Sequence, residues 1–67
     1  MSEISLRAIE RILKKSGAKR ISENACKELQ EYLEKKGLEI GKRSTKFMKH
    51  AKRRTLMKQD VELSINE

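Results

Sequence analysis

The sequence lacks most of the devices that stabilise very small domains. Its 67 residues include no proline, no tryptophan, three glycines and one cysteine, Cys26. One cysteine cannot form an internal disulfide, and with a single histidine it cannot complete a structural zinc site. The shortage of proline and glycine excludes a collagen-like or linker-like chain. We therefore expect no metal and no cofactor, and stability that comes from association with another chain.

Long apolar runs are also absent. No uncharged run exceeds four residues, which excludes a transmembrane span and the apolar core of a signal peptide. A lone thiol without such a signal suits a reducing compartment, so we expect a cytoplasmic protein with no membrane partner. We find no carboxylate pair, phosphate-binding glycine loop or cluster of metal ligands. The sequence therefore gives no support to an enzymatic activity.

Positive charge is abundant and unevenly distributed. The chain has 17 Lys and Arg against 10 Asp and Glu, for a net charge of +7. Residues 40–59 contain eight of the basic residues and no carboxylate. A polyanion is the first partner to consider. With only two aromatic residues, the chain offers few platforms on which single-stranded bases could stack.

The spacing of apolar residues predicts three helices. An amphipathic helix is predicted over about 4–15, and Gly17 is suited to end it in the left-handed conformation. Ser22 is the predicted N-cap of a long helix of about 28 residues. A third helix is predicted over about 58–66, after a short extended piece. The expected fold is all-α, a single domain over 1–67 with short, long and short helices.

The two glycines in the middle of the long helix allow two interpretations. Gly37 and Gly41 could mark a loop, since each costs about 1 kcal/mol inside a helix. Alternatively, their spacing clears one helix face so that another helix can cross closely. The apolar period continues in phase through both glycines, which favours one continuous helix. Pairs of opposite charge four residues apart are predicted to support it, at Glu23–Lys27, Glu31–Lys35 and Glu39–Arg43.

The length of this helix implies a second chain. At 1.5 Å per residue it would extend about 42 Å. A compact globule of this chain length would be only about 28 Å across. The apolar stripe therefore needs a partner to cover it, and we expect an obligate dimer.

Three features together resemble the archaeal histones over nearly the whole chain. They are the segment A-I-E-R-I-L-K-K-S-G-A-K-R-I-S (8–22), the long helix with a central glycine, and K-H-A-K-R-R-T-L-M-K-Q-D-V-E-L (49–63). The resemblance implies a histone fold in which two chains form a handshake dimer. The long helices would then cross near their middles, and the dimer core would contain Leu29, Leu33, Gly37, Ile40 and Gly41.

The resemblance also implies a DNA-binding surface. Arg11 matches the family position that faces a phosphate, and Arg20 matches the arginine that enters the minor groove. Thr55 matches a supporting threonine from the partner chain, and Arg54 matches a basic residue at the DNA backbone. The remaining candidates on this surface are lysines of the first helix and first loop: Lys14, Lys15 and Lys19.

Other matched positions concern the fold and its assembly. Arg53 and Asp60 match a structural ion pair. Phe47, His50 and Asp60 match positions where two dimers meet. The chain departs from the family at Lys52, where a glycine is common, and in a stretch that is usually more acidic or apolar. Because of this stretch, which comprises Arg43, Ser44 and Thr45, we expect dimer–dimer assembly to be weaker than dimerisation.

These observations favour a homodimer that wraps and compacts duplex DNA at the nucleoid with little base specificity. On DNA the dimers would assemble into tetramers or larger particles, with this chain or with a paralogous histone. Two alternatives remain open. One is a histone-fold subunit of a heterodimeric transcription factor, and the other is a small basic RNA-binding protein.

Overall fold

The chain folds into helices of short, long and short length, in that order. The computed structural model describes residues 2–66, and within them we find three α-helices and no strand. They are α1 (Leu6–Lys15), α2 (Glu23–His50) and α3 (Lys58–Ile65). The predicted all-α architecture is confirmed, and the observed helix bounds lie within two residues of the predicted ones. No described helix combines the length and the apolar character that a membrane crossing requires.

The chain divides into two compact units. The N-terminal unit is Met1–Lys35 and the C-terminal unit is Lys36–Glu67. The 28-residue α2 helix belongs to both. Each unit therefore contains one short helix and one half of α2.

Serine side chains begin the first two helices. The Ala8 N–H donates to Ser5 Oγ at 3.1 Å, and Ser5 has the extended backbone typical of an N-cap. The Ala25 N–H donates to Ser22 Oγ at the same distance, 3.1 Å. Each bond satisfies one of the amide donors that a helix leaves free at its start. The predicted cap at Ser22 is confirmed, whereas the cap at Ser5 was not predicted.

The end of α1 is a complete Schellman motif. Gly17 has a φ of +112°, which only glycine adopts without strain. Its N–H donates to Lys14 O at 3.0 Å, and the Ala18 N–H donates to Leu13 O at 3.2 Å. These two bonds satisfy carbonyl groups of the last turn. The predicted role of Gly17 is confirmed.

The end of α2 has the same hydrogen bonds without a glycine. The Lys52 N–H donates to Lys49 O at 2.9 Å, and the Arg53 N–H donates to Met48 O at 3.1 Å. Lys52 has a φ of +57°, in the left-handed region. A side chain in that conformation costs energy that glycine avoids. The departure at Lys52 therefore carries backbone strain as well as an added charge.

The α2 helix passes through its two glycines without interruption. The prediction of a continuous helix is confirmed. A Cβ atom added at Gly37 or Gly41 would meet no atom of residues 2–66 within 4 Å. Nothing in the described part of the chain therefore requires glycine at either position.

The N-terminal unit has a small apolar core. Ile9 is completely buried, and Cys26 is 5% exposed. The segment before α1 is fixed to α2 by hydrogen bonds, since the Ile4 N–H donates to Glu34 Oε1 at 2.7 Å and Gln30 Nε2 donates to Ile4 O. Cys26 therefore lies in the core of this unit.

The buried residues of the C-terminal unit are polar. Ser44 and Ser64 are fully buried, and Asp60 is 1% exposed. Ser44 Oγ donates to Ser64 Oγ at 2.9 Å, and Ser64 Oγ donates to Asp60 O at 2.9 Å. Arg43 Nη2 donates to Ser64 O at 3.2 Å. These bonds join the C-terminal half of α2 to α3.

This network overturns one predicted ion pair. The guanidinium of Arg43 bonds to α3, and Glu39 Oε2 instead lies 3.9 Å from Lys36 Nζ. The predicted Glu39–Arg43 pair is therefore wrong, because Arg43 finds a carbonyl acceptor in the interior of the unit. The predicted pair at the start of α2 is present, with Glu23 Oε1 3.4 Å from Lys27 Nζ.

Candidate nucleic-acid interface

The basic residues predicted on the first helix lie on its exposed surface. Arg11, Lys14 and Lys15 are all exposed, and their spacing of three and four residues places them on neighbouring parts of one face. Lys14 Nζ lies 3.1 Å from Glu10 Oε1, so part of its charge is balanced within the helix. Arg11 and Lys15 form no ion pair with any residue in 2–66. They are the stronger anion-binding candidates on α1.

The first loop holds Lys19 and Arg20 between two well-defined helix ends. Both residues are exposed. The Schellman motif at Gly17 fixes the start of the loop, and the Ser22 cap fixes its end. Arg20 therefore stands two residues before the cap of α2, where the free amides of the helix N-terminus also favour anions.

The second loop presents Arg54 and Thr55, which are both exposed. The backbone of this loop is held from inside, because Arg53 Nη1 donates to Thr55 O at 3.2 Å. Met57 then continues in an extended conformation, with φ −110° and ψ 161°, up to the start of α3.

Arg53 and Asp60, which flank this loop in the chain, form a bidentate ion pair. Arg53 Nη1 lies 2.7 Å from Asp60 Oδ2, and Arg53 Nη2 lies 2.8 Å from Asp60 Oδ1. The Met57 N–H also donates to Asp60 Oδ2, at 2.9 Å. The hydrogen bonds from Arg53, followed by the one from Met57, lower the pKa of Asp60 to about 2, and the carboxylate raises the pKa of Arg53. Asp60 is therefore ionised at neutral pH, and it both caps α3 and positions the loop.

The residues predicted for DNA contact fall into two groups, one in each unit. Arg11, Lys14, Lys15, Lys19 and Arg20 belong to the N-terminal unit, and Arg54 and Thr55 belong to the C-terminal unit. Each group therefore lies within one compact unit. The expected juxtaposition of one chain's first loop with its partner's second loop stays a prediction.

The residues predicted for the dimer core are only partly covered in the single chain. Leu29, Leu33, Ile40 and Gly41 are half-buried, and Gly37 is exposed. Several large apolar side chains are more than half exposed, namely Tyr32 (60%), Leu38 (62%), Leu63 (56%) and Ile65 (60%). The chain thus leaves much of its apolar surface open to solvent.

Of the three residues predicted for dimer–dimer contact, two share one groove. Phe47 and His50 line one open groove at the C-terminal end of α2. Asp60 does not line this groove, and its carboxylate already accepts three hydrogen bonds. The other residues that line the groove are all basic: Arg43, Lys46 and Lys49.

Sequence analysis did not single out Lys42, Lys46 and Lys49 as a surface. All three are exposed on the C-terminal half of α2. The signal that could have identified them is the absence of any carboxylate between residues 40 and 59. Among residues 2–66, no group of three or more His, Cys, Asp or Glu side chains is placed to hold a metal ion.

Comparison with known proteins gives consistent matches over the whole chain. The family model described as TATA box binding protein associated factor (TAF) matches residues 1–66. The chain is 45% identical over 65 residues to one of the subunits of archaeal histone HAN1 of Thermococcus zilligii. It is also 45% identical over 65 residues to probable archaeal histone 3 of Methanocaldococcus jannaschii. Each match covers 97% of this chain and 97% of the relative.

Proposed function

The chain belongs to the archaeal histone family of histone-fold proteins, and from this premise we propose that it dimerises and wraps duplex DNA with little base specificity. The observation that carries the proposal is a set of exposed, unpaired cations in both units. Among residues 2–66, no carboxylate forms an ion pair with Arg11, Lys15, Arg20 or Arg54. These cations stand on the helix and loops that the family resemblance assigns to DNA.

Dimerisation is supported by how little apolar surface one chain buries. Among the described residues, Ile9 and Cys26 are the only buried apolar side chains. A chain of this size has a marginal core even when well packed. Exposed side chains such as Leu38 would be covered if a second copy packed along α2. We propose that Leu29, Leu33 and Ile40 complete the core of the dimer.

The two glycines fit the same proposal. Since Gly37 and Gly41 face open space in the single chain, only a neighbour outside the chain can require them. A second α2 helix crossing at these positions would use the missing side chains to approach closely. The middle parts of the two α2 helices would then cross at the centre of a handshake dimer.

The proposed mechanism of binding is electrostatic. Duplex DNA carries one charge per about 1.7 Å of its axis, and basic side chains that contact phosphates release condensed counterions. An arginine that enters the minor groove responds to groove width and deformability rather than to base identity. Arg20 would serve this role, while Arg11, Lys15 and Arg54 would contact phosphates. Bent duplex would be favoured because it meets more of these cations.

Assembly beyond the dimer is part of the proposal. Dimers would associate on DNA into tetramers or larger particles at the chromosome, either with each other or with a paralogous histone. The two relatives are both named archaeal histones, which supports this placement.

Arg20→Ala tests the DNA-binding proposal. We expect weaker duplex binding and less DNA bending, because the arginine proposed to enter the minor groove is lost. Lys58→Ala is the matched control, because Lys58 is an exposed lysine (90% of its side chain) on α3, outside the proposed site. Titrations at several salt concentrations, plasmid topology and micrococcal nuclease protection would be measured. Equal effects of the two variants, or an unbent duplex with the wild type, would contradict the proposal.

The family match favours a second candidate function. The matching model is described as a TATA box binding protein associated factor, which is compatible with a histone-fold protein that pairs with a different chain. Sedimentation of the pure protein separates the two candidates, since the first requires a homodimer. A monomer that gains helix only after a different histone-fold chain is added would support the heterodimer. Competition between duplex DNA and structured RNA at equal salt would test the RNA-binding alternative.

A further inference from the structure

A strip of uncompensated positive charge runs along the C-terminal half of α2. We call Lys42, Lys46 and Lys49 the basic α2 face. Their spacing of four and three residues aligns them along one side of the helix over about 10.5 Å. All three are exposed.

Among residues 2–66, no acidic group forms an ion pair with this face. The ion pairs formed by residues 2–66 involve other cations, and residues 40–59 contain no carboxylate at all. The adjoining groove adds Arg43, whose Nε is buried without a hydrogen-bond partner, and His50. Like charges at helical spacing repel one another, so the face lowers the stability of its own helix. An anion bound there would remove the repulsion.

A second copy of the same surface is a poor occupant of this face. In a two-fold symmetric contact the same patch lies on both sides, so a contact centred on this face would bring two copies of the same set of cations together. Asp60 is the one acidic residue that the family resemblance assigns to this contact. It is 1% exposed and bonded to Arg53 and Met57, so it cannot offset the charge.

Duplex DNA matches the face in charge and in length. A stretch of about 10.5 Å of duplex carries about six phosphate charges. Long lysine side chains can follow such phosphates without contact to bases. The loop residues Arg54 and Thr55 line neither of the two grooves that border the basic α2 face, whereas the next residue, Leu56, lines one of them together with Gly37, Leu38 and Gly41. The face thus borders the second loop and the proposed crossing of the dimer, and it shares no cation with the loop surface that we assign to the wrapped duplex.

We propose that the basic α2 face binds a second segment of duplex DNA, so that one assembly holds two duplexes together. The inference rests on the proposed function for the first duplex. Its chemistry is phosphate neutralisation by three lysines in each protomer. Where both segments belong to one DNA molecule, binding of the first raises the local concentration of the second.

The test compares two triple variants in a bridging experiment. In the face variant, Lys42→Gln, Lys46→Gln and Lys49→Gln are combined. The control variant combines Lys35→Gln, Lys36→Gln and Lys58→Gln, which removes the same charge from exposed lysines outside the face. A bead-bound duplex captures a second, labelled duplex through the protein, and anisotropy with one short duplex measures the first contact. Circular dichroism checks that both variants remain folded.

We expect the wild type and the control variant to capture the second duplex. Capture by the face variant should be at least about tenfold lower. Three fewer phosphate contacts per protomer should lower the salt slope of capture by about 2.7. Binding to one short duplex should fall no more in the face variant than in the control.

Other outcomes would overturn the inference. If the wild type binds one duplex and captures no second one, or if both variants capture equally, the basic α2 face is not a second DNA site. If polyglutamate at equal charge releases the second duplex and leaves the first one bound, the face belongs to an acidic protein segment. Failure of the wild type to bind even one short duplex would instead contradict the proposed function itself.

Discussion

Each of the two units of this chain is stabilised internally by a different kind of interaction. In the N-terminal unit, α1 packs on α2 through apolar side chains centred on Ile9 and Cys26. In the C-terminal unit, α3 is joined to α2 by hydroxyl groups and charges, with Ser44, Ser64 and Asp60 in the interior. The first arrangement depends on filled volume, and the second depends on the geometry and ionisation of a few polar atoms.

The units also differ in charge. The N-terminal unit has eight Lys and Arg against six Asp and Glu, and the C-terminal unit has nine against four. Their net charges are thus +2 and +5. Two of the nine cations of the C-terminal unit, Arg43 and Arg53, donate hydrogen bonds to α3. The more basic unit therefore uses charge both for its own fold and for its surface.

The substitution that we expect to destabilise the protein most removes an apolar side chain. Leu33→Ala should destabilise the protein by about 3 kcal/mol, because it removes a large side chain from the proposed dimer core. Ser44→Ala should cost only about 1 kcal/mol, since Ser64 Oγ keeps its bond to Asp60 O. Urea unfolding at two protein concentrations measures both. A midpoint that does not change with concentration would contradict the dimer.

The next effect concerns the ion pair on the polar side. Because the pKa of Asp60 is lowered to about 2, its contribution is complete above the ordinary carboxyl pKa near 4 and is lost as the pH falls toward 2. We expect the amides of α3 to lose protection from hydrogen exchange in this range before those of α1. Asp60→Asn should expose α3 already at neutral pH and remove the pH dependence. Equal acid loss in both helices would show that the two units do not differ as described.

A smaller effect tests the middle of α2, and its sign is informative. If one chain were self-sufficient, Gly41→Ala would stabilise the helix by up to about 1 kcal/mol, since alanine is the better helix former and meets no atom. If a second α2 crosses there, the added methyl group clashes and the dimer is destabilised. We expect destabilisation, measured by thermal unfolding and sedimentation.

The smallest effect compares the two left-handed helix ends. Lys52→Gly should stabilise the C-terminal unit by a few tenths to about 1 kcal/mol, because it relieves the strain of a positive φ. Gly17→Ala should destabilise the N-terminal unit by about 1 kcal/mol for the converse reason. Lys52→Gln keeps the strain and removes the charge, so it separates the backbone effect from any change in DNA binding. Stabilisation by Lys52→Gln equal to that by Lys52→Gly would contradict the backbone explanation.

The three helices were predictable from sequence because their signals are local. Apolar period and capping chemistry operate over a few residues, which is why Gly17 and Ser22 were assigned correctly. The Schellman motif at Lys52 was not predicted, since lysine gives no local sign of a left-handed conformation. The cap at Ser5 was missed for a different reason, because the predicted start of α1 lay before it.

The candidate site was predictable only in part. Exposure of Arg11, Arg20 and Arg54 agrees with the surface that the family resemblance implied. Their DNA contacts stay predictions, because a single chain shows only one half of each paired loop. The basic α2 face was not predicted, because it depends on the exposure of three lysines on one side of the helix. It also depends on the hydrogen bond of Arg43 to α3, which leaves this arginine out of the exposed set.

By itself, the sequence determined the helix order, the continuity of α2 and the excess of positive charge, since these follow from residues close together along the chain. Only the tertiary structure decided that Ser44, Ser64 and Asp60 fill the C-terminal unit and that Arg43 bonds to α3 rather than to Glu39. A polar side chain bonds to the donors and acceptors that folding brings near it, and these can come from another helix. Helical spacing specifies only its neighbours on the same helix.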